Sequence, residues 1–177
     1  KTALALALCA GSVGCGAAPL RPQPASREED LVALLPAGCE AVFDLDLAGL
    51  RAAPLGPRLF GELPAATRQR LGLFAEEPPA GLEALALGAS GLGTPALEPT
   101  LVVRGPLDVG AVRTRYQAQD ARARLFHYHG LELLEPPPPA PAAEALGVLG
   151  ARVAVLGGRS AVRQVIDNLQ GDGLGAR

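Results

Sequence analysis

The chain has 177 residues, sixteen basic and eighteen acidic, and a formal charge of −2. That length suits one compact domain with a core of its own. The near balance of charge, with only six aromatic residues, leaves neither the basic stripe nor the stacking platform that nucleic acid requires. Usage is lopsided, with one Lys, one Ile and one Asn against abundant Arg, Ala, Gly, Pro and Leu. GC-rich codons favour that set, so Arg over Lys carries no functional weight.

Lys1 and Thr2 precede an uncharged run from Ala3 to Gly14. Twelve residues make a helix of ~18 Å, too short for a hydrocarbon layer of ~30 Å and suited to the apolar region of a secretory signal. No later stretch is long and apolar enough to span. Ser12-Val13-Gly14-Cys15 resembles the bacterial lipoprotein processing box, which implies that Cys15 is acylated and heads the mature chain. Val13 and Gly14 fit that box, Ser12 stands where Leu is usual, and Cys9, directly after Leu8, fits worse. An ordinary secreted protein and a buried N-terminal helix are the rival readings. Gly16 to Asp30 has three prolines and the charges Arg27 to Asp30 with little to pack, which predicts a disordered tether. The expected divisions are therefore signal peptide 1–14, lipidated Cys and tether 15–30, an α+β domain 31–170, and a linker or truncated end 171–177. Lys1 in place of an initiating Met predicts that the natural chain starts further upstream. Once the signal leaves, fifteen Arg face eighteen acids, a charge of −3 that does not attract anionic headgroups. Cys39 is then left without an intrachain partner and reads as a buried thiol.

Ala41 to Leu47 alternates, Phe43, Leu45 and Leu47 against Asp44 and Asp46, which predicts a half-buried strand. Gly49 to Leu63 carries Leu at helical spacing, interrupted near its start by Pro54 and Pro57. Pro64 suits the first turn of a second helical piece that turns Leu71 and Phe74 inward and stops at Glu76-Glu77-Pro78-Pro79. Strands are expected over Leu82–Ser90 and Thr100–Arg104, then a helix capped by Asp108 through Val112 and Tyr116. Arg122–His129 and Leu131–Glu135 read as a hairpin around Gly130, followed by the stiff loop of Pro136 to Pro141. Leu146–Leu149 pairs with Val153–Leu156, and Gly157-Gly158-Arg159-Ser160 opens a last helix with Ser160 as its N-cap. This order predicts an α+β fold, mainly an antiparallel sheet with helices packed on one face, with ferredoxin-like halves as the nearest layout.

The lipobox, the tether and the run Leu35-Pro-x-Gly-x-x-Ala-Val-Phe-x-Leu-Asp-Leu-x-x-Leu-Arg-x-x-Pro-Leu-Gly56 resemble uncharacterised lipoproteins of GC-rich bacteria. The stretch Arg152 to Gly157 leading into Ser160 to Arg163 is similar to theirs too. The resemblance implies an α+β module held outside the cytoplasm, and it carries no catalytic residues.

Candidate chemistry is sparse. His127 and His129, i and i+2 on a strand, fall on one side about 6.5–7 Å apart, a spacing open to two ligands of one metal. Zinc needs three or four ligands, which leaves Asp44 and Asp46 as the paired carboxylates to complete the set. The ordinary alternative is two solvated His at a hairpin end, with Asp44 and Asp46 in cross-strand ion pairs with Arg122 and Arg124. Gly157 to Ser160 could hold an anion at a helix N-terminus but lacks the Walker Lys and the spaced glycines of a phosphate loop. Ser12, Ser90 and Ser160 sit in no nucleophile elbow. The sequence thus leads to a lipid-anchored, non-enzymatic module of the bacterial cell envelope, periplasmic or attached to the outer membrane. It would bind the membrane through its anchor and a protein partner through a sheet face or edge, with no cofactor and no nucleic acid. A metal-binding protein or small metal-dependent hydrolase using His127 and His129 is the alternative.

Overall fold

The computed structural model describes residues 30–54, 56, 58, 62, 65–75, 81–137 and 144–171. The signal run, Cys15 and the tether through residue 29 lie outside the described residues, as do Pro64, the stop at 76–79, most of the Pro-rich loop and the end of the chain from 172.

Among the described residues seven strands form one sheet: β1 (Ala41–Asp46), β2 (Ala84–Ser90), β3 (Glu98–Arg104), β4 (Arg124–Tyr128), β5 (Leu131–Glu135), β6 (Glu144–Val148) and β7 (Val153–Gly158). Among the described residues five helices accompany them: α1 (Leu31–Leu34), α2 (Leu47–Ala52), α3 (Ala65–Leu71), α4 (Val109–Gln119) and α5 (Arg159–Gln170). The sheet order is β1-β2-β3-β7-β6-β5-β4, and every neighbouring pair is antiparallel. Two meanders, β1 to β3 and β4 to β7, therefore join through the β3–β7 ladder, in which Val102 faces Val155. The α+β class, the antiparallel sheet and the helices packed against it agree with the sequence expectation.

The finer layout differs in two respects. Ferredoxin-like halves would separate β1 from the strand reached through the helices; here β1 and β2 are direct neighbours, with Asp46 opposite Ala84. The segment carrying α2 and α3 leaves and rejoins the sheet at these paired positions. Helices also cover both faces, not one. Leu101, Val103, Ala154 and Leu156 point to the side of α2, α3 and α4, where Leu47, Leu71, Val112 and Tyr116 meet them. Val102, Val153 and Val155 point the other way, to Leu31 and Leu34 of α1 and Val162, Val165 and Ile166 of α5. The central strands β3 and β7 are apolar on both sides, and each face must be shielded from water.

Local signals explain the boundaries. Asp30, Asp46 and Asp108 cap α1, α2 and α4, each carboxylate accepting from the N–H three residues on, at 3.1, 2.9 and 3.0 Å. The cap at Asp46 turns Leu47 from the expected strand into the first residue of α2. His129 and Gly130, with φ of 50° and 78°, make the tight β4–β5 turn. Ser160 is not the cap of α5: the helix starts at Arg159 straight out of β7, with Gly158 in the cap position and no side-chain cap bond. Asn168 near the other end of α5 donates to the Leu34 and Leu35 carbonyls at 3.1 Å, tying α1 to the sheet through α5.

Candidate functional site: an apolar cavity beneath helices 2 and 3

The alternation of β1 puts Phe43 and Leu45 on the α2/α3 side and Asp44 and Asp46 on the α1 side. β1 is an edge strand, and its apolar side does not close onto packed core: Phe43 remains 61% exposed. It lines a cavity of about 660 Å³. The floor is the sheet, through Leu85 and Leu87 of β2, Pro99 and Leu101 of β3 and Leu156 of β7. The roof is Leu47 and Leu50 of α2 with Leu71 of α3. The volume falls in the range of ~300–1,000 Å³ that holds small-molecule ligands.

Among the described residues of this lining, polar side chains come from α3 and the start of β6. Thr67 and Arg70, three apart on α3 and hence on one side of it, join Glu144 at the start of β6. The Arg70 guanidinium pairs with the Glu144 carboxylate at 2.5 Å, both side chains about a third exposed. The Glu144 carbonyl, meanwhile, accepts from the Tyr116 hydroxyl, which holds the β6 entry against α4. Burial, and then the charges of Asp120, Glu144 and Glu135, raise the Tyr116 pKa well above that of a free phenol. This hydroxyl is therefore a fixed donor. Sequence reasoning missed the cavity, since Leu50, Leu71 and Phe43 read simply as core; only the unusual exposure of a period-two apolar side on β1 sets them apart.

The residues singled out from the sequence do not converge. β1 and β4 are opposite edges of the sheet, so Asp44 and Asp46 are remote from both histidines. His127 lies across from Glu132 on the α4 side, while the turn carries His129 to the other face, where its Nε2 is 3.5 Å from Asp167 of α5. The equal-side spacing assumed a strand continuing through His129; the turn ends it at Tyr128. Among the described residues no group of three His, Cys, Asp or Glu side chains could hold a metal ion. The expected Asp–Arg pairs across strands are likewise replaced. Arg122 pairs with Asp120 at 3.1 Å, an interaction that lowers the Asp120 pKa. Asp44 and Asp46 border a recess of about 150 Å³ with Asp30 and Arg104.

The start of α5 holds an internal anion through its arginine side chains. Glu135, 3% exposed at the end of β5, receives Arg159 at 2.7 Å and Arg163 at 2.9 Å. Arg159 also donates to the Pro136 carbonyl at 2.7 Å, and Arg163 stacks over the Tyr128 ring. These two cations are committed to the fold. Cys39 is half-buried, its sulfur beside Gly88, with the Ser90 hydroxyl 3.9 Å away.

Comparison with known proteins finds no matching family model, no matching curated protein and no matching solved structure. Among the described residues no helix is long and apolar enough to cross a membrane.

Proposed function

We propose that this chain is a lipid-anchored protein of the bacterial cell envelope whose α+β module binds an apolar ligand without transforming it. The cavity beneath α2 and α3 carries the reading: about 660 Å³ lined, among the described residues, by Phe, Leu and Pro, with polar groups only at Thr67, Arg70 and Glu144. Such walls offer carbon to a ligand, which favours retention of an apolar molecule over acid–base or nucleophilic chemistry. A protein partner would reach the sheet at its edges, where Val42 of β1 and Leu125 and Phe126 of β4 are exposed, because helices occupy both faces.

The export half of the proposal rests on the apolar run and Cys15. Acyl groups on Cys15 would hold the protein at a membrane, each buried CH₂ contributing ~0.8 kcal/mol, with residues 16–29 as the spacer. Labelling cells with radioactive palmitate tests it: the protein takes up label and fractionates with membranes, and Cys15→Ala abolishes both. An unlabelled cytosolic product refutes the anchor. For the cavity, N-phenyl-1-naphthylamine should brighten saturably with one site per chain. Leu101→Trp, which fills the floor, should remove the signal while the circular dichroism spectrum is unchanged. Unsaturable fluorescence, or full binding by a folded Leu101→Trp protein, refutes the binding reading.

A further inference from the structure

We infer that the cavity takes a long-chain fatty acid, its tail along the apolar floor and its carboxylate on Arg70 in place of Glu144; this rests on the cavity being a ligand site. Three observations lead there. Among the described residues the lining is apolar except at Thr67, Arg70 and Glu144, which suits a chain-like ligand with a single polar terminus. The polar end is a guanidinium that already holds a carboxylate, at 2.5 Å, about a third exposed on each side and so open to exchange. An incoming carboxylate has the same planar two-oxygen shape as the Glu144 group it displaces, and Arg matches that shape bidentately. Finally, Thr67 sits one turn before Arg70 on the same side of α3 and also lines the cavity, adding a second hydrogen-bonding side chain beside the guanidinium. Leu71, beside Arg70 on that helix, belongs to the apolar roof, so α3 changes from polar to apolar where a fatty acid changes from head to tail.

The exchange makes Glu144 a competitor. Removing its charge frees Arg70 for the ligand, whereas removing the Arg70 charge takes away the head-group contact. The tail should behave independently of either, each added CH₂ tightening binding roughly fourfold until the cavity is full.

The test uses displacement of N-phenyl-1-naphthylamine from the folded protein by octanoate, decanoate, laurate and palmitate, by hexadecanol, and by palmitoyl lysophosphatidylcholine. Palmitate is expected to compete best and the shorter acids progressively worse. Arg70→Gln should weaken palmitate roughly tenfold, the size of one charge-assisted hydrogen bond, and leave hexadecanol unchanged. Glu144→Gln should strengthen palmitate several-fold and again spare hexadecanol. Thermal unfolding of each variant confirms that it is folded, and Glu144→Gln preserves shape should Arg70→Gln fail to fold. Equal competition by hexadecanol and palmitate, with Glu144→Gln without effect, overturns the head-group assignment while the cavity reading stands. Tighter binding of the lysophospholipid overturns the fatty acid as occupant. If no chain displaces the probe, the cavity reading itself fails.

Discussion

Replacing Gly147 by Ala probes how closely α5 lies on the sheet. Gly147 is in β6, opposite Val155 of β7 and beneath Val162 of α5. A Cβ at this position would come to 2.8 Å from Val155 Cγ1 and 3.0 Å from Val162 Cγ1. Neither methyl can swing away freely, because valine is stiff at χ1 and both residues are buried. Overpacking of this kind costs ~1–3 kcal/mol. Against it stands the reduced chain entropy of Ala, which favours the variant by roughly 0.5–1 kcal/mol. The net expectation for Gly147→Ala is a loss of about 0.5–2 kcal/mol, or a fall in Tm of roughly 2–8 °C for a domain of this size. Urea unfolding followed by circular dichroism measures it. The stronger check is a double-mutant cycle with Val155→Ala, which removes the nearest methyl. Its own penalty should partly disappear in the Gly147→Ala background, with a coupling of about 1 kcal/mol or more. Additive behaviour within about 0.5 kcal/mol, or a stabilised Gly147→Ala, would refute the close contact.

Two further expectations follow from polar groups held by the fold. Glu135→Gln leaves Arg159 and Arg163 without their carboxylate; since both guanidinium groups reach water, the cost should be about 1–2 kcal/mol, less than for a fully buried pair. A urea midpoint equal to that of the parent would show that the clamp contributes nothing. In a Tyr128→Phe background Tyr116 is the only tyrosine, and burial followed by the nearby Asp120, Glu144 and Glu135 charges raises its pKa when folded. The unfolded chain then loses this proton first, so the contribution of Tyr116 to stability is complete below about pH 10 and declines as the pH rises above it. Absorbance at 295 nm should stay flat until unfolding; a reversible midpoint near pH 10 with unchanged circular dichroism would contradict this.

Much of the fold was legible because its local signals are strong. Period-two alternation in 41–46, the glycine of the β4–β5 turn, and the cap at Asp108 each specify an element from neighbouring residues alone. The helix α1 escaped notice: its four residues between Asp30 and Pro36 carry no period, and Leu31 and Leu34 are helical because α5 packs on them. Coverage of both sheet faces was foreshadowed by the unbroken apolar runs Leu101-Val102-Val103 and Val153 to Leu156, which a one-faced sheet does not need. The pairing of β3 with β7 could not be read locally, since it joins residues about fifty apart in the chain. That pairing sends β1 and β4 to opposite edges, and so separates Asp44 and Asp46 from His127. The cavity was illegible for a related reason. A leucine facing empty space and a leucine facing another leucine look alike in sequence, and only the stand-off of α2 and α3 from the sheet distinguishes them.

The segment that roofs the cavity departs at Asp46 and comes back at Ala84, residues that already sit across from one another in the β1–β2 ladder. Topologically it is an oversized hairpin loop, inserted between two strands that are already paired where it begins and ends. The lid can therefore be exchanged, lengthened or trimmed without rethreading the scaffold. Evolution or an engineer could retune what is held there by rewriting only residues 47–83.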